Sequence, residues 1–282
     1  MLSAADYPFD LPFAKPLDIT SRDALTEGLS TIVDININLG QNKDADFLDH
    51  GADALLPFVS SVNVPCGVHD GHPLTIDKAL SKIKTNQCAL GAQIGLPPGV
   101  AFDSLSEDEL MIWVRLQLGA LNGLAQGHDL EIAHIRPHGA LYDAFFTSPT
   151  ALMPLAKVLL TINPWLILVG PACEGLQAIQ QATGLRVAGE IHIGCRYTDA
   201  GRPLNQANEI PMVFKTTLEQ VHQLIREKAL TSTTGKRLPM TYHSLHLTPG
   251  TDQVLDVARS LAQRIQRPVP LPLTLATSSG WV

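Results

Sequence analysis

The sequence predicts an α/β fold, a single TIM-like (β/α) barrel with about seven β/α units. Strand and helix patterns alternate along the chain with short connections, which is typical of a parallel sheet covered by helices. The chain has 282 residues, a length that such barrels reach as one domain. Hydrophobic residues make up 45% of the chain and aromatic residues only 5%, so the predicted core is large and aliphatic. The number of units favours a closed or nearly closed barrel over an open sheet.

The predicted strands are short apolar runs, β-branched or small, that stop at proline, glycine or polar residues. They cover residues 31–39, 62–67, 88–95, 131–137, 165–171, 186–194 and 240–247. The predicted helices between them cover residues 52–61, 72–84, 104–126, 149–162, 174–183, 217–230 and 252–266. The clearest is 104–126, where Ser106 and Glu109 resemble a capping box ahead of apolar residues at helical spacing. Residues 230–239 are predicted to be a flexible loop.

Composition and charge exclude several classes of protein. The net charge of −7 and the isoelectric point near 5.8 argue against a nucleic-acid partner and give no support for binding to an anionic membrane. No apolar run is long enough to predict a membrane span. Residues 1–30 lack a signal pattern and are interpreted as an N-terminal extension of a barrel domain at 31–282. The four cysteines follow no zinc or disulfide spacing, which predicts a reducing, cytoplasmic location.

Polar and ionisable residues gather where the predicted strands end. Because the carboxyl ends of barrel strands converge on one face, these side chains are expected to share a cavity. Six of the ten histidines lie at such ends: His69, His72, His138, His192, His243 and His246. Any one of them alone is more simply a surface or capping histidine, whereas the set together indicates a pocket. Glu190 lies at one of the same ends.

Several blocks of the sequence resemble the LamB/YcsF family, which includes one of the subunits of bacterial 5-oxoprolinase. HIRPHGALYD resembles the family's KPHGALY, and SVNVPCGVHDGHP resembles SANIACGFHAGDP. Shorter blocks agree in order: INLGQ with NCDLGE, GAQIGLPP with GAHPGYPD, LGALNGLAQ with IGALDGFAR, and the late TPG. The resemblance spans roughly residues 31–266 and implies a β/α barrel related to polysaccharide deacetylases. The activity it implies is ATP-driven opening of 5-oxoproline, a five-membered lactam, together with two partner subunits.

Departures from the family pattern remove charge from the expected site. Neutral residues replace ionisable ones at Asn38, Gln41, Gln93 and Gly194, and Arg136 replaces a lysine. Asparagine and glutamine keep the hydrogen-bonding reach of the acids but lose the base. The family's basic loop is missing between Pro98 and Ser104, which removes a predicted phosphate clamp. ATP-dependent hydrolysis of 5-oxoproline is therefore in doubt, and the chain is interpreted as a diverged member.

The candidate site residues follow from the strand ends and the family positions. The predicted catalytic residues are His138, His69 and Arg136, because imidazoles transfer protons near neutral pH and a guanidinium binds carboxylates or oxyanions. The predicted substrate-binding residues are Asn36, Asn38, Asn63, Gln93, His246 and Tyr142. Non-family histidines, His246 among them, are interpreted first as drift, and the role of Asp34 is left open. We predict no metal and no cofactor, because the acidic ligands are the groups that are replaced.

Three hypotheses for function remain. The first is an enzyme that acts on a small lactam, amide or carbonyl compound as a hydrolase. The second is a repurposed biosynthetic enzyme of the cyclase, isomerase or lyase type that uses the same pocket without hydrolysis. The third is a non-catalytic subunit. The expected partners are a small-molecule substrate and either further copies of the chain or partner subunits, with no nucleic acid and no membrane.

Overall fold

The computed structural model contains a parallel β-barrel. The structure describes residues 33–42, 45–147, 150–204, 212, 214–248, 253–262 and 270–271. The strands within these ranges are β1 (Asp34–Asn38), β2 (Ser61–Pro65), β3 (Ala89–Ile94), β4 (Ile132–Pro137), β5 (Ile167–Pro171), β6 (Arg186–His192), β7 (Ala229–Thr231), β8 (Arg237–Pro239) and β9 (Ser244–Leu247). Seven of them form a closed parallel barrel in the order β1-β2-β3-β4-β5-β6-β9. The predicted barrel and its number of units are confirmed.

Helices connect the barrel strands along the outside. Those in the described ranges are α1 (Ala45–His50), α2 (Ala52–Leu55), α3 (Pro73–Asn86), α4 (Glu107–Gln126), α5 (Ala140–Asp143), α6 (Met153–Ile162), α7 (Glu174–Thr183), α8 (Phe214–Glu227) and α9 (Val254–Ala262). Across the described ranges, no helix combines the length and the apolar character that a membrane crossing needs.

Side-chain caps determine where two of the long helices begin. The capping box predicted for α4 is present: Ser106 Oγ accepts from the backbone N–H of Glu109, and Glu109 Oε2 accepts from the backbone N–H of Ser106. His72 caps α3, because its Nδ1 accepts from the backbone N–H of Leu74 at 3.3 Å. His72 is therefore a capping histidine at the start of a helix whose first turn is fixed by Pro73.

The hydrophobic core is a shell between the barrel and its helices. Side chains alternate along a strand, so Ile35 and Ile37 of β1 face outward and are fully buried under the helices. Val62 and Val64 do the same on β2. Burial of each such side chain contributes about 1.5–3 kcal/mol. The opposite faces of the same strands point into the barrel and carry the polar residues of the site.

The prediction of a flexible loop at 230–239 is wrong. β7 and β8 pair antiparallel in this region, with Leu230 opposite Leu238. Their turn is closed by Ser232 and Thr234, whose hydroxyls donate to Asp199 Oδ1 at 2.5 and 2.6 Å. Three-residue strands are too short for an alternation pattern to be recognised in sequence. The anchoring carboxylate is also more than thirty residues away, so local sequence does not indicate it.

Several element boundaries differ from the prediction, and one predicted region is not described. The predicted helix 52–61 is α2 followed by a 3₁₀ turn at Leu56–Phe58, where Pro57 ends the α-helical hydrogen bonding. The predicted strand 240–247 begins only at Ser244. The proposed N-terminal extension, residues 1–30, lies outside the described residues.

Candidate active site

Polar side chains line the interior of the barrel. Asp34, Asn36 and Asn38 alternate with outward-facing isoleucines on β1 and therefore share the inner face. The strand register places Asn36 beside His246 of β9 and Asn38 beside Asn63 of β2. Asp34, to which the sequence alone assigns no role, thus belongs to the interior with the two asparagines.

Asp34 is held by three serines at the amino-terminal end of the interior. Ser60 and Ser61 donate from Oγ to Asp34 Oδ1 at 2.6 and 2.8 Å, and Ser244 Oγ donates to Oδ2. The carboxyl group is completely buried. Burial raises the pKa of Asp34 to about 6, although the three hydroxyl donors act to lower it. Its ionisation is therefore costly in the folded protein.

The raised pKa of Asp34 predicts a pH-dependent difference between the wild type and the Asp34→Asn variant. The pKa of Asp34 is about 6 in the folded protein and close to the ordinary 3.8 when unfolded, so the folded state holds more protons between these values. As pH rises from about 4 to about 6, the wild type should lose about 2 kcal/mol of stability relative to the variant. Chemical denaturation of both proteins across this pH range measures the difference, and a constant difference would contradict the prediction.

A buried ion pair lies at the carboxyl ends of β4 and β6. Arg136 Nη2 and Nε donate to Glu190 Oε1 and Oε2 at 2.8 and 2.9 Å, a bidentate geometry. The side chains are 4% and 0% exposed. Burial alone would raise the pKa of Glu190, but the Arg136 guanidinium outweighs it and holds that pKa well below the usual range. The carboxylate is thus ionised, and the guanidinium predicted to bind substrate already has a protein partner.

His192 and Tyr142 contact this ion pair from the more accessible side. His192 Nε2 lies 3.0 Å from Glu190 Oε1, and Tyr142 Oη lies 3.1 Å from the same nitrogen. Burial lowers the pKa of His192, but hydrogen bonds with Cys195 and Glu190 outweigh it, and the net shift is upward. The Arg136 guanidinium also lies over the Tyr142 ring, 5.3 Å from its centroid. One hydrogen-bonded cluster therefore contains Arg136, Glu190, His192 and Tyr142.

The ion pair determines which nitrogen of His246 carries the proton. Asn36 Nδ2 donates to Glu190 Oε2 at 3.2 Å, and since a carboxylate only accepts, the orientation of the Asn36 amide is fixed. Its Oδ1 then faces His246 Nδ1 at 2.7 Å, and because this oxygen also only accepts, Nδ1 is the protonated nitrogen. Burial lowers the pKa of His246 well below its usual value. His246 is therefore neutral, with the lone pair on Nε2.

The same reasoning extends through Asn63 to His134. Asn63 Nδ2 donates to Asn36 Oδ1 at 2.8 Å, which leaves Asn63 Oδ1 as an acceptor. His134 Nε2 lies 2.8 Å from that oxygen and therefore carries the proton. Burial lowers the pKa of His134 to about 4, so this ring is neutral as well. Asn63 Nδ2 also approaches Asn38 Oδ1 at 3.2 Å, which joins Asn38 to the network.

His69, His138 and Gln93 form a second group beside this network. The rings of His69 and His138 stack with centroids 4.8 Å apart and an angle of 23° between their planes. Gln93 is completely buried on the inner face of β3, where the register places it beside Arg136. The backbone N–H of His138 donates to Ile94 O at 2.8 Å, which ties the end of β4 to β3.

The structure brings the predicted residues together in these two groups and adds others. Asn36, Asn38, Asn63, Arg136, Tyr142 and His246 belong to the network, and His69, His138 and Gln93 to the second group. The predicted set omits Glu190, His192, His134, Asp34 and Ser244, which complete the network. A single acidic residue inside the apolar strand 186–194 is the signal that could have identified Glu190. Nothing in the sequence alone shows that Asn36 joins it to His246.

The buried thiols of Cys66 and Cys88 are not activated, and the described residues contain no clustered set of metal ligands. Burial raises the pKa of Cys66 far above that of a free thiol, and that of Cys88 to about 12. Both thiols are therefore neutral. In the ranges that the structure describes, no group of three or more histidine, cysteine, aspartate or glutamate side chains is arranged to hold a metal ion.

The fold is a β/α barrel, and its polar side chains converge at the carboxyl ends of the strands. In β/α-barrel enzymes the active site lies at this end. Residues 33–269 match the LamB/YcsF family, and the chain belongs to it. It is 27% identical to a 5-oxoprolinase subunit of Campylobacter jejuni subsp. doylei over 83% of this chain and 94% of that protein. It is 33% identical to the corresponding 5-oxoprolinase subunit of Staphylococcus saprophyticus over 68% of this chain and 77% of that protein.

A solved structure supports the same fold. The lactam utilization protein from Thermus thermophilus superposes with a TM-score of 0.73 over 86% of this chain and 100% of that chain, at 24% sequence identity. The match covers the barrel as a whole. At this level of identity it establishes the fold.

Proposed function

We propose that this protein is an enzyme that acts on a small lactam or a related cyclic amide at the carboxyl end of the barrel. Relatives across most of its length are named as subunits of 5-oxoprolinase, which acts on a lactam. The observation that carries the proposal is the buried Arg136–Glu190 pair with His192, Tyr142 and His246 around it. Removing charges from water costs free energy, and a buried ion pair contributes little net stability. A hydrogen-bonded cluster of such charges inside a barrel therefore supports a catalytic role.

Two histidines are proposed to move the protons. His246 is neutral with its lone pair on Nε2, which suits a general base that takes a proton from water. His138 follows β4, three strands away from β9 around the barrel, and suits donation to the substrate from the other side. In hydrolysis, the water oxygen would bond to the carbonyl carbon, the ring C–N bond would break, and His138 would protonate the leaving nitrogen.

Arg136 is proposed to position the cluster and not to bind the substrate. Its Nη2 and Nε are occupied by Glu190, and Nη2 also lies 3.2 Å from His192 Nε2. The pair fixes the Asn36 amide, which in turn fixes the tautomer of His246. This role differs from the carboxylate clamp predicted from the sequence, and it explains why a bidentate arginine serves where a lysine would not.

A non-hydrolytic reaction is the second candidate. Asn36, Asn38, Asn63 and Gln93 supply four neutral carboxamides to the interior, where they can orient a carbonyl compound without activating water. The missing basic loop between Pro98 and Ser104 removes a phosphate clamp from the family pattern. Both features favour chemistry that does not consume ATP, such as isomerisation, elimination or ring closure.

The test is incubation of the purified protein with a panel of small lactams that includes 5-oxoproline, with and without ATP and the partner subunits. We expect conversion of at least one lactam without a requirement for ATP. Mass analysis separates the two candidates, because hydrolysis adds one water to the product and isomerisation leaves the mass unchanged. A stable complex with the partner subunits and no conversion of any lactam would instead support a non-catalytic role.

A further inference from the structure

The second group in the barrel interior contains polar atoms that no protein atom satisfies. In the described part of the chain, buried side-chain atoms without a hydrogen-bond partner are both amide atoms of Gln93, both ring nitrogens of His69 and Nδ1 of His134. Buried polar groups in folded proteins are nearly always paired. Three neighbouring residues that break this rule together indicate a place for a ligand.

Two glycines on β3 and at its end bring these atoms together. Gly91 and Gly95 lie two residues to either side of Gln93 and share its face of the strand. A Cβ at Gly91 would lie 2.1 Å from His134 Nε2, and a Cβ at Gly95 would lie 2.6 Å from His69 Cγ. The two histidine rings thus occupy the spaces that the glycines leave open, with the Gln93 carboxamide between them.

We propose that Gln93 determines specificity by pairing with the cis-amide edge of the substrate. This rests on the proposed function and names the atoms that recognise the ring. Gln93 Nε2 donates and Oε1 accepts along one planar edge. A lactam holds its C=O and N–H on the same side and completes both hydrogen bonds. An open-chain secondary amide is trans, with these groups on opposite sides, and a cyclic ester has no N–H to donate.

The His69 ring is the side chain that gives way when the ligand enters. Neither of its nitrogens makes a well-formed hydrogen bond within the described residues, so its movement breaks the stack on His138 and only weak polar contacts with the Gln93 and Gln117 side chains. It lies in a loop between Gly67 and Gly71, whose φ angles are +78° and +98°. Gln117 stays in place, because it accepts from the backbone N–H of Gly95 at 2.9 Å.

The binding test compares 2-pyrrolidinone with γ-butyrolactone, two rings of the same size and shape. Wild-type protein, followed by NMR titration, is expected to bind the lactam at least about tenfold more tightly than the lactone, because the lactone leaves Gln93 Oε1 unpaired. In Gln93→Leu the ratio should fall to near one. Gln220→Met is the matched control, since the Gln220 amide is satisfied by backbone atoms of Gly194 and Cys195, and its ratio should match the wild type.

A stability measurement on the same variants gives an independent readout. Gln93→Leu removes buried polar atoms without breaking a well-formed hydrogen bond and should raise the melting temperature of the ligand-free protein. Gln220→Met breaks two hydrogen bonds and should lower it. A lower melting temperature for Gln93→Leu would show that a trapped water satisfies the carboxamide and would overturn the proposal.

The outcomes also separate this inference from the proposed function. Equal binding of lactam and lactone by the wild type, or an unchanged ratio in Gln93→Leu, would overturn the role of Gln93 alone. A failure of the wild type to bind any lactam would overturn both.

Discussion

Replacing Glu190 by alanine is expected to lower the free energy of unfolding by about 3–5 kcal/mol, because it leaves the Arg136 guanidinium buried without a counter-charge. The Arg136 side chain is only 4% exposed in the folded protein. Asn36 would lose an acceptor in the same step. Denaturation by urea, monitored by circular dichroism, measures the change.

Two comparisons make the Glu190 prediction specific. Asp53→Ala removes an exposed partner of Lys82 and should cost no more than about 1 kcal/mol. The double variant Arg136→Met with Glu190→Leu replaces the pair by apolar groups and should recover most of the stability lost in Glu190→Ala. Equal losses of stability in Glu190→Ala and Asp53→Ala would contradict the prediction, because they would show that the buried carboxylate contributes no more than an exposed one.

Removing either proposed proton-transfer histidine is expected to lower turnover about a hundredfold to ten-thousandfold. His246→Ala removes the lone pair that would take a proton from water, and His138→Ala removes the donor at the end of β4. The measurement is the rate per folded molecule with the lactam identified in the substrate panel, together with the melting temperature of the same sample.

The control for the histidine variants is His128→Ala. His128 pairs with Asp77 at 2.7 Å between two outer helical segments, far in the fold from the barrel interior. Its replacement should leave turnover unchanged. If His138 only ties a strand end to its surroundings, His138→Ala will lower the melting temperature and leave the rate intact, which would reject its catalytic role.

The barrel could be predicted because its signals are local. The strands are marked by short apolar runs between turn formers, and α4 is marked by the capping box at Ser106 and Glu109. The β7–β8 hairpin could not be predicted in the same way. Its turn is stabilised by Asp199, and that contact is made only after the chain has folded back over more than thirty residues.

The candidate site was only partly predictable, because its chemistry depends on pairings between distant strands. The sequence places Arg136 and Glu190 at separate strand ends, but only the register shows that they meet. The sequence predicts His246 as a substrate-binding residue, but as a departure from the family pattern it also fits drift. Its fixed tautomer depends on Asn36, 210 positions earlier, and no pattern in either segment contains that information.

Because the barrel closes between β1 and β9, it cannot close during synthesis until the last of its strands is available. Asn36 and Asp34 reach Ser244 across about two hundred residues, so these hydrogen bonds form only when the ninth strand has left the ribosome. Until then Asp34 and Glu190 lie along an open seam that water can enter. Loops of this length are slow to close. The nascent chain therefore completes the polar interior of the barrel last, and a chain truncated before Ser244 cannot close the barrel around it.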